Sequence, residues 1–311
     1  MARPEYELKN TPVAEEQPAA DGKRRWRLLD RRDPMRIFFM GSYMRRPMDV
    51  LDFYESLTKT IYAPLLGKYF FKPIINLYGA QYHSGRATPL RDVIPMIREA
   101  KSLAVSECAC RVRLNKCDHS TRTCLKVNTG AEVELVKGQL KSERVAADEA
   151  IRIVEQAYKD GLMLSVEWCF EPNTYSICCC CDCCCVSRKL RFERGIVSAV
   201  MSSEYVPKFD MNACANCGRC GELCPGKAIS VINGARIVDT GLCVGCGLCE
   251  FHCPADAVEL IEAREPAVAK ENNWTHYLIV YISSLFVLIP HYVIYLLVKR
   301  KPRERARAIE W

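Results

Sequence analysis

Residues 214–225 read CANCGRCGELCP, and residues 243–254 read CVGCGLCEFHCP. Both stretches follow one pattern, C-x2-C-x2-C-x3-C-P, and both lead into a short apolar end, AISV at 228–231 and AVEL at 257–260. The chain therefore contains an internal repeat made of two similar halves. Such a repeat predicts a fold with approximate two-fold symmetry.

The spacing inside each copy suits an iron–sulfur cluster. Three thiolates on one tight loop can bind three irons of one cubane. The fourth cysteine, which we expect to open a short helix, points away from that loop after the proline. In two-cluster proteins with this spacing, the fourth cysteine binds the other cluster. A zinc site is the alternative, but tetrahedral zinc usually takes two ligand pairs that lie further apart in sequence.

Residues 206–262 resemble a bacterial-type two-cluster ferredoxin domain, and all eight cysteines of that family are present. The resemblance implies an α+β fold of two short hairpins and two short helices. It also implies two [4Fe–4S] clusters and one-electron transfer at low potential. By the crossing rule, one cluster takes Cys214, Cys217, Cys220 and Cys253, and the other takes Cys243, Cys246, Cys249 and Cys224.

The whole chain contains 20 Cys in 311 residues, which core packing does not explain. Such a number indicates either disulfides outside the cytosol or metal thiolates inside it. Disulfides stabilise small secreted chains, whereas this chain is large and its N-terminus lacks the apolar core of a secretory signal. Bridges between adjacent cysteines would also be strained. We therefore expect metal thiolates.

Two further cysteine segments precede the repeat: C-A-C-R begins at Cys108, and I-C-C-C-C-D-C-C-C begins at Ile177. The arrangement resembles a group of iron–sulfur proteins of anaerobes, in which a C-x-C-R and an I-C-N-C-C-x-C-C segment precede a two-cluster ferredoxin. Cys179 stands where that pattern has Asn, and the proline expected between Cys117 and Cys124 is absent. This resemblance covers residues from about 90 to 262.

We expect the upstream thiols to bind at least one additional iron–sulfur cluster, because the seven cysteines between positions 178 and 185 cannot all be apolar spacers. A fourth cluster or a larger non-cubane one stays open, as do a zinc site and reduced thiols in a core. Arg111 is suited to hydrogen-bond a cluster sulfur. The candidate ligands are Cys108, Cys110, Cys117, Cys124, Cys178, Cys180, Cys181, Cys183, Cys184 and Cys185.

Local patterns predict a few further elements. Thr88-Pro89 begins a helix that we expect to reach about Val105, and a second helix is expected from Ala147 to Lys159. Strands are expected at residues 162–168 and 196–201. The predicted fold class is α+β: a dicluster ferredoxin domain, a cysteine-rich mixed α/β N-terminal module, and a C-terminal transmembrane or membrane-embedded helix.

Residues 276–298 carry no Lys, Arg, Asp or Glu. As a helix with a rise of about 1.5 Å per residue, this run is long enough for the roughly 30 Å hydrocarbon layer; a buried core helix is the alternative. Six basic residues in the tail predict a cytoplasmic C-terminus. A kink at Pro290 would return both ends to that side. We expect the iron–sulfur domains on the cytoplasmic face of the cell membrane.

The net charge of +7 is concentrated in two runs, from Lys23 to Arg46 and from Lys299 to Arg307. Such runs can bind nucleic acid, anionic lipid or an acidic protein, or can simply be solvated; the apolar segment beside the second run favours membrane lipid over nucleic acid. The predicted domains are a basic and aromatic segment for partner or membrane-surface contact (1–88), the cysteine-rich module (89–205), the ferredoxin domain (206–264), a membrane helix (275–299) and a basic tail (300–311).

The sequence has no nucleophile–base pair, phosphate loop or Rossmann fingerprint, so no catalytic residue is predicted. It predicts a membrane-associated iron–sulfur electron-transfer protein, a subunit of an anaerobic redox complex. Its partners would be a soluble redox protein and membrane-bound subunits. Two alternatives stay open. One is an oxidoreductase whose upstream cluster is the catalytic site, and the other is an iron–sulfur nucleic-acid-binding or redox-sensor protein.

Overall fold

The computed structural model describes Asn76 and residues 83–137, 140–169 and 174–264. The predicted membrane helix at 275–299 and the basic tail at 300–311 lie outside these residues, as does most of the predicted N-terminal segment. Among the described residues, no helix has the length and apolar character needed to cross a bilayer. The described chain forms an upstream module followed by a small domain that contains the cysteine repeat.

The upstream module, residues 83–199, is built on one six-stranded antiparallel sheet with the strand order β1-β5-β6-β3-β2-β4. Its elements in chain order are β1 (His83–Ala87), α1 (Leu90–Glu99), β2 (Leu103–Glu107), α2 (Ala109–Leu114), β3 (Arg122–Val127), α3 (Thr129–Lys137), β4 (Ser142–Arg144), α4 (Ala147–Lys159), β5 (Met163–Cys169), β6 (Thr174–Cys180), α5 (Val186–Phe192) and a 3-10 turn (Val197–Ala199).

The sheet of the upstream module has one apolar face and one face that carries polar side chains and thiols. Leu125 and Ile177 pack with Val93 of α1 and Val154 of α4 in the buried core. Successive side chains of a strand point to opposite faces. Cys124 and Lys126 of β3 and Ser176 and Cys178 of β6 therefore lie on the other face. The alternation of side chains along each strand thus places the core residues and these thiols on opposite faces of the sheet.

Two predictions for the upstream module are wrong in part. The helix that begins after Pro89 ends at Glu99 instead of near Val105, because Leu103–Glu107 forms β2 and pairs with both β3 and β4. The expected strand at 196–201 is a 3-10 turn with a single bridge from Met201 to Arg86. Ile196, Val200 and Met201 are buried there, whereas Val197 is exposed. The helix at Ala147–Lys159 and the strand near 162–168 are confirmed.

The repeat domain, residues 205–264, consists of six short elements: β7 (Tyr205–Phe209), α6 (Arg219–Glu222), β8 (Ile229–Ile232), β9 (Ala235–Val238), α7 (Leu248–Phe251) and β10 (Val258–Glu262). β8 and β9 form a hairpin, whereas β7 and β10 are the first and last strands and pair antiparallel. The domain thus has one hairpin and one pair of terminal strands, where two hairpins were expected.

The fourth cysteine of each copy does not open a helix, contrary to expectation. α6 and α7 both end before it, and Cys224 and Cys253 each begin a tight turn. In these turns the Lys227 N–H donates to the Cys224 carbonyl at 3.1 Å and the Asp256 N–H donates to the Cys253 carbonyl at 3.4 Å. The proline after each fourth cysteine has no N–H to donate, so α6 and α7 cannot continue through it.

Tyr158, near the end of α4, joins the upstream module to the repeat domain. Its hydroxyl donates to the Cys246 carbonyl at 2.7 Å. Its ring meets Phe251 edge-on with centroids 4.8 Å apart, and its own carbonyl lies 2.9 Å from His252 Nε2. Because Tyr158 is only 1% exposed, the second cysteine loop is seated firmly on the upstream module.

Two equivalent glycines test this seating. Gly218 and Gly247 each precede the short helix of their copy, with φ of +80° and +78°. A Cβ on Gly247 would lie 2.7 Å from Tyr158 Oη, whereas a Cβ on Gly218 would meet nothing within 4 Å. We expect Gly218→Ala to cost about 1 kcal/mol from left-handed strain, and Gly247→Ala to cost a further 1–3 kcal/mol or so from crowding.

Anaerobic thermal unfolding of the two variants measures this difference, since the backbone strain is common to both. Equal losses of stability would show that the junction yields to the added methyl group without cost.

Candidate iron–sulfur centres

Four cysteines of the repeat domain line one small cavity. Cys224 comes from the first copy, and Cys243, Cys246 and Cys249 come from the second. Val244 and Leu248, both 1–2% exposed, lie in the same lining, beside the buried thiols of Cys243 and Cys246. These four cysteines are the set that the crossing rule assigns to one cluster, and the fold brings them together around a single space.

The other predicted set, Cys214, Cys217, Cys220 and Cys253, lies nearer the solvent. Cys217 is exposed and the other three are half-buried, whereas Cys243 and Cys246 of the second copy are buried. The two loops share their spacing, yet only the second is covered by the upstream module through Tyr158. Two sites of the same local chemistry thus have different access to solvent.

Backbone hydrogen bonds to sulfur repeat in both copies. The Ala228 N–H donates to Cys224 Sγ at 3.2 Å, and the Ala257 N–H donates to Cys253 Sγ at 3.3 Å. N–H···S bonds of this kind are among the features that tune a cluster held by cysteine thiolates. Arg264 adds a cation, since its guanidinium lies 3.8 Å from Cys243 Sγ. The donor atoms, the enclosed space and the neighbouring charges fit an anionic cluster held by four thiolates.

Upstream of the repeat domain, four predicted ligands form a compact set that we call the four-thiol group: Cys117, Cys181, Cys183 and Cys184. All four sulfurs lie within 4.8 Å of one another. Cys117 follows α2, and the other three lie on the turn between β6 and α5. Cys181 and Cys184 are buried, and Cys117 and Cys183 are half-buried.

Comparison with known proteins identifies the repeat. Residues 213–272 match the family model of the 4Fe–4S dicluster domain. Neither the curated proteins nor the solved structures contain a match to this chain. The repeat domain is therefore a ferredoxin-like 4Fe–4S domain, and the prediction of iron–sulfur clusters is confirmed by this match. Electron transfer is the function that a domain of this kind suggests.

The remaining six predicted ligands form the six-thiol group: Cys108, Cys110, Cys124, Cys178, Cys180 and Cys185. The Cys110 thiol is hydrogen-bonded to those of Cys108 and Cys185, and Cys185 is hydrogen-bonded to Cys180. On the polar face of the sheet, Cys124 is hydrogen-bonded to Cys178. The chain thus divides the ten predicted upstream ligands into one group of four and one of six.

Cys179, which stands at the Asn position of the family pattern, belongs to neither group. It is 3% exposed and lies in the buried core, on the face of β6 that also carries Ile177. Strand alternation explains this separation, because Cys178 and Cys180 point to the opposite face. A thiol packs well in an apolar core, so this departure from the pattern does not disturb the thiol groups.

Arg111, the arginine of the C-A-C-R segment, lies between the two thiol groups. Its side chain is buried, and its guanidinium donates to the Ser120 and Cys179 carbonyls and to Thr123 Oγ1. It also hydrogen-bonds the thiol of Cys181. Burial opposes ionisation of Cys181, but the Cys184 N–H and Arg111 outweigh it and lower the pKa of Cys181 to about 7.

Lys126 lies beside two candidate ligands and was not among the residues predicted from the sequence. The hydrogen bond from Cys178 holds the pKa of Cys124 well below its usual range, and the ammonium of Lys126 adds to the shift. Burial opposes the charge on Lys126, yet the sulfurs of Cys124 and Cys178 raise its pKa above the usual range. The sequence does contain a signal for this lysine: Lys126 stands two residues after Cys124, and side chains two apart on a strand share one face.

Removing Arg111 tests its role in holding the upstream thiols. We expect Arg111→Met to lower the free energy of unfolding by roughly 3–5 kcal/mol, as the loss of one buried charged partner does. The upstream metal should be lost while the iron of the repeat domain stays. Arg111→Lys should rescue only part of this, because an ammonium lacks the planar fork of donors.

Iron and sulfide content after anaerobic purification, together with thermal unfolding, provide the readout. Arg113→Met, on the same helix at a half-buried position, is the matched control. A normal upstream metal content in Arg111→Met would contradict the assigned role.

Proposed function

We propose that this protein relays electrons between a soluble redox partner at the exposed cysteine loop and acceptors reached through the upstream module. The single observation that carries the proposal is the unequal burial of two loops with the same spacing. Cys217 is exposed, whereas Cys243 and Cys246 are buried where Tyr158 seats their loop on the module. A protein partner can approach the first loop closely and the second only through the chain itself.

Ligation of the bacterial two-cluster type is part of this proposal. The shared cavity of Cys224, Cys243, Cys246 and Cys249 supports the crossing of the fourth cysteine to the other copy. The matching N–H···S bonds at Cys224 and Cys253 support equivalent roles for these two residues. When bound, the clusters supply one-electron transfer, and the chain supplies their burial, spacing and hydrogen bonds.

We propose the six-thiol group as the site of the additional cluster. Lys126 and Arg111 offset the negative charge that thiolates bring into this region, and Arg188 links it to the repeat domain. The Arg188 N–H donates to Cys185 Sγ at 3.5 Å. Burial raises the pKa of Cys246 to about 12, and the Arg188 guanidinium opposes that shift. The proposed order is therefore the first loop, the second loop and then the six-thiol group.

Membrane attachment and partnership with membrane-bound subunits complete the proposal. Their support is in the sequence: the uncharged run at residues 276–298 and the basic tail beside it. The excess of Lys and Arg in this tail favours a cytoplasmic C-terminus. A kink at Pro290 that returns both ends of the segment to that side would place the iron–sulfur domains there as well. The acceptor would then be a redox subunit at the membrane surface.

Blocking the exposed end tests the relay. We expect Cys217→Ser to remove the outer cluster and to slow reduction of the inner ones by a soluble reduced ferredoxin by roughly an order of magnitude or more. A small diffusible reductant should still reduce them fully. Stopped-flow absorbance and EPR under anaerobic conditions follow both reactions.

Cys179→Ala is the control for this experiment, because that thiol packs in the core outside both groups. Unchanged reduction by ferredoxin in Cys217→Ser would show that electrons enter elsewhere.

A truncation tests the attachment to the membrane. We expect the full chain to stay with the membrane fraction after an alkaline carbonate wash, because a helix inserted in hydrocarbon is not released by charge screening. A chain ending at Arg264 should appear in the soluble fraction with its clusters intact. Recovery of the full chain in the wash would contradict insertion and leave only surface binding by the basic tail.

A further inference from the structure

We infer that the four-thiol group is a site for one tetrahedral metal ion, separate from any cubane. Four thiolates around one ion at about 2.3 Å form a tetrahedron with edges of about 3.8 Å. Cys117 Sγ lies 3.8 Å from Cys184 Sγ and 4.0 Å from Cys181 Sγ, and all four sulfurs lie within 4.8 Å of one another. The group has the size of a single-ion site.

A cubane needs a wider set of ligands. Each of its four thiolates binds a different iron. The distance between two of these cysteine sulfurs therefore includes the separation of the two irons, and it is longer than the distance between two sulfurs bound to one ion. Within residues 83–137, 140–169 and 174–264, the four-thiol group is the one set of such ligand atoms gathered this tightly. The predicted cluster ligands in the repeat domain are not gathered to that degree.

Hydrogen-bond donors and one cation are directed at the four-thiol group. The Cys184 N–H donates to Cys181 Sγ, and the Lys116 N–H donates to Cys184 Sγ. The buried guanidinium of Arg111 hydrogen-bonds Cys181. Four thiolates and a dication leave a net charge of two minus, which these donors and Arg111 offset. Zinc and iron are the ions that a tetrahedral set of four sulfurs selects.

The site also has an entry path and a complete ligand set. A cavity of about 350 Å³ reaches Cys181 and is lined there by His119 and Asp182, which gives an ion access from solvent. Four protein ligands leave no open position, as in structural metal sites. Such an ion would tie Cys117 to the turn after β6, and thereby hold Cys180 and Cys185 of the six-thiol group in place.

Metal analysis of the full chain, purified without oxygen, tests this inference. We expect one ion per chain beyond the iron that is matched by acid-labile sulfide, and X-ray absorption at its edge should show four sulfurs at about 2.3 Å. Zinc would be identified by mass spectrometry, and iron would be found as an excess over sulfide. Cys117→Ser and Cys183→Ser should each lose that ion, and Cys179→Ala should keep it.

Three results would overturn the inference: no ion beyond the sulfide-matched iron, an ion that survives both serine variants, or equal losses of iron and sulfide in those variants. The last would place these thiols on a cubane. Should either variant fail to fold, chelator titration of the wild-type chain decides, because release of one ion should leave cluster absorbance unchanged. The inference is independent of the relay, since it concerns metal content and not electron flow.

Discussion

The fold depends on how negative charge is accommodated where many thiols lie within a few ångströms of one another. Buried thiolates are costly unless cations, hydrogen-bond donors or metal ions offset them. The upstream module supplies Arg111 between its two thiol groups and Lys126 on the polar face of its sheet, and the turns of the repeat domain direct N–H groups at Cys224 and Cys253. Metal ions complete this balance, so the cofactors and the fold stabilise each other.

The two copies of the repeat show how tertiary contacts make similar sites unequal. Gly218 and Gly247 have the same backbone conformation and precede the same kind of short helix. Only Gly247 lies against Tyr158, and only its loop is buried. An outer site open to partners and an inner site packed against the module would suit the proposed electron relay. In the proposed relay, the two sites differ in their burial and not in their ligands.

Strand alternation gives the sheet of the upstream module two different faces. One face of the sheet buries the core under α1 and α4, and the other presents Cys124, Cys178 and Lys126. The cysteine-rich run continues past β6 into a turn, where the thiols no longer alternate and three of them meet Cys117. A continuous run of cysteines is thus divided by backbone geometry into a core residue, strand ligands and turn ligands. This division agrees with two separate upstream centres.

The sequence alone determined the dicluster repeat, its eight cysteines and the helix at Ala147–Lys159, because ligand spacing and helical periodicity are local properties. Its pattern could not show where α1 ends, since β2 is stabilised by pairing with strands far along the chain. The division of the upstream thiols, the placement of Arg111 and Lys126 and the unequal burial of the two loops were decided only by the tertiary structure. Each of these depends on contacts between residues distant in sequence, such as Cys117 with Cys184 and Tyr158 with Cys246.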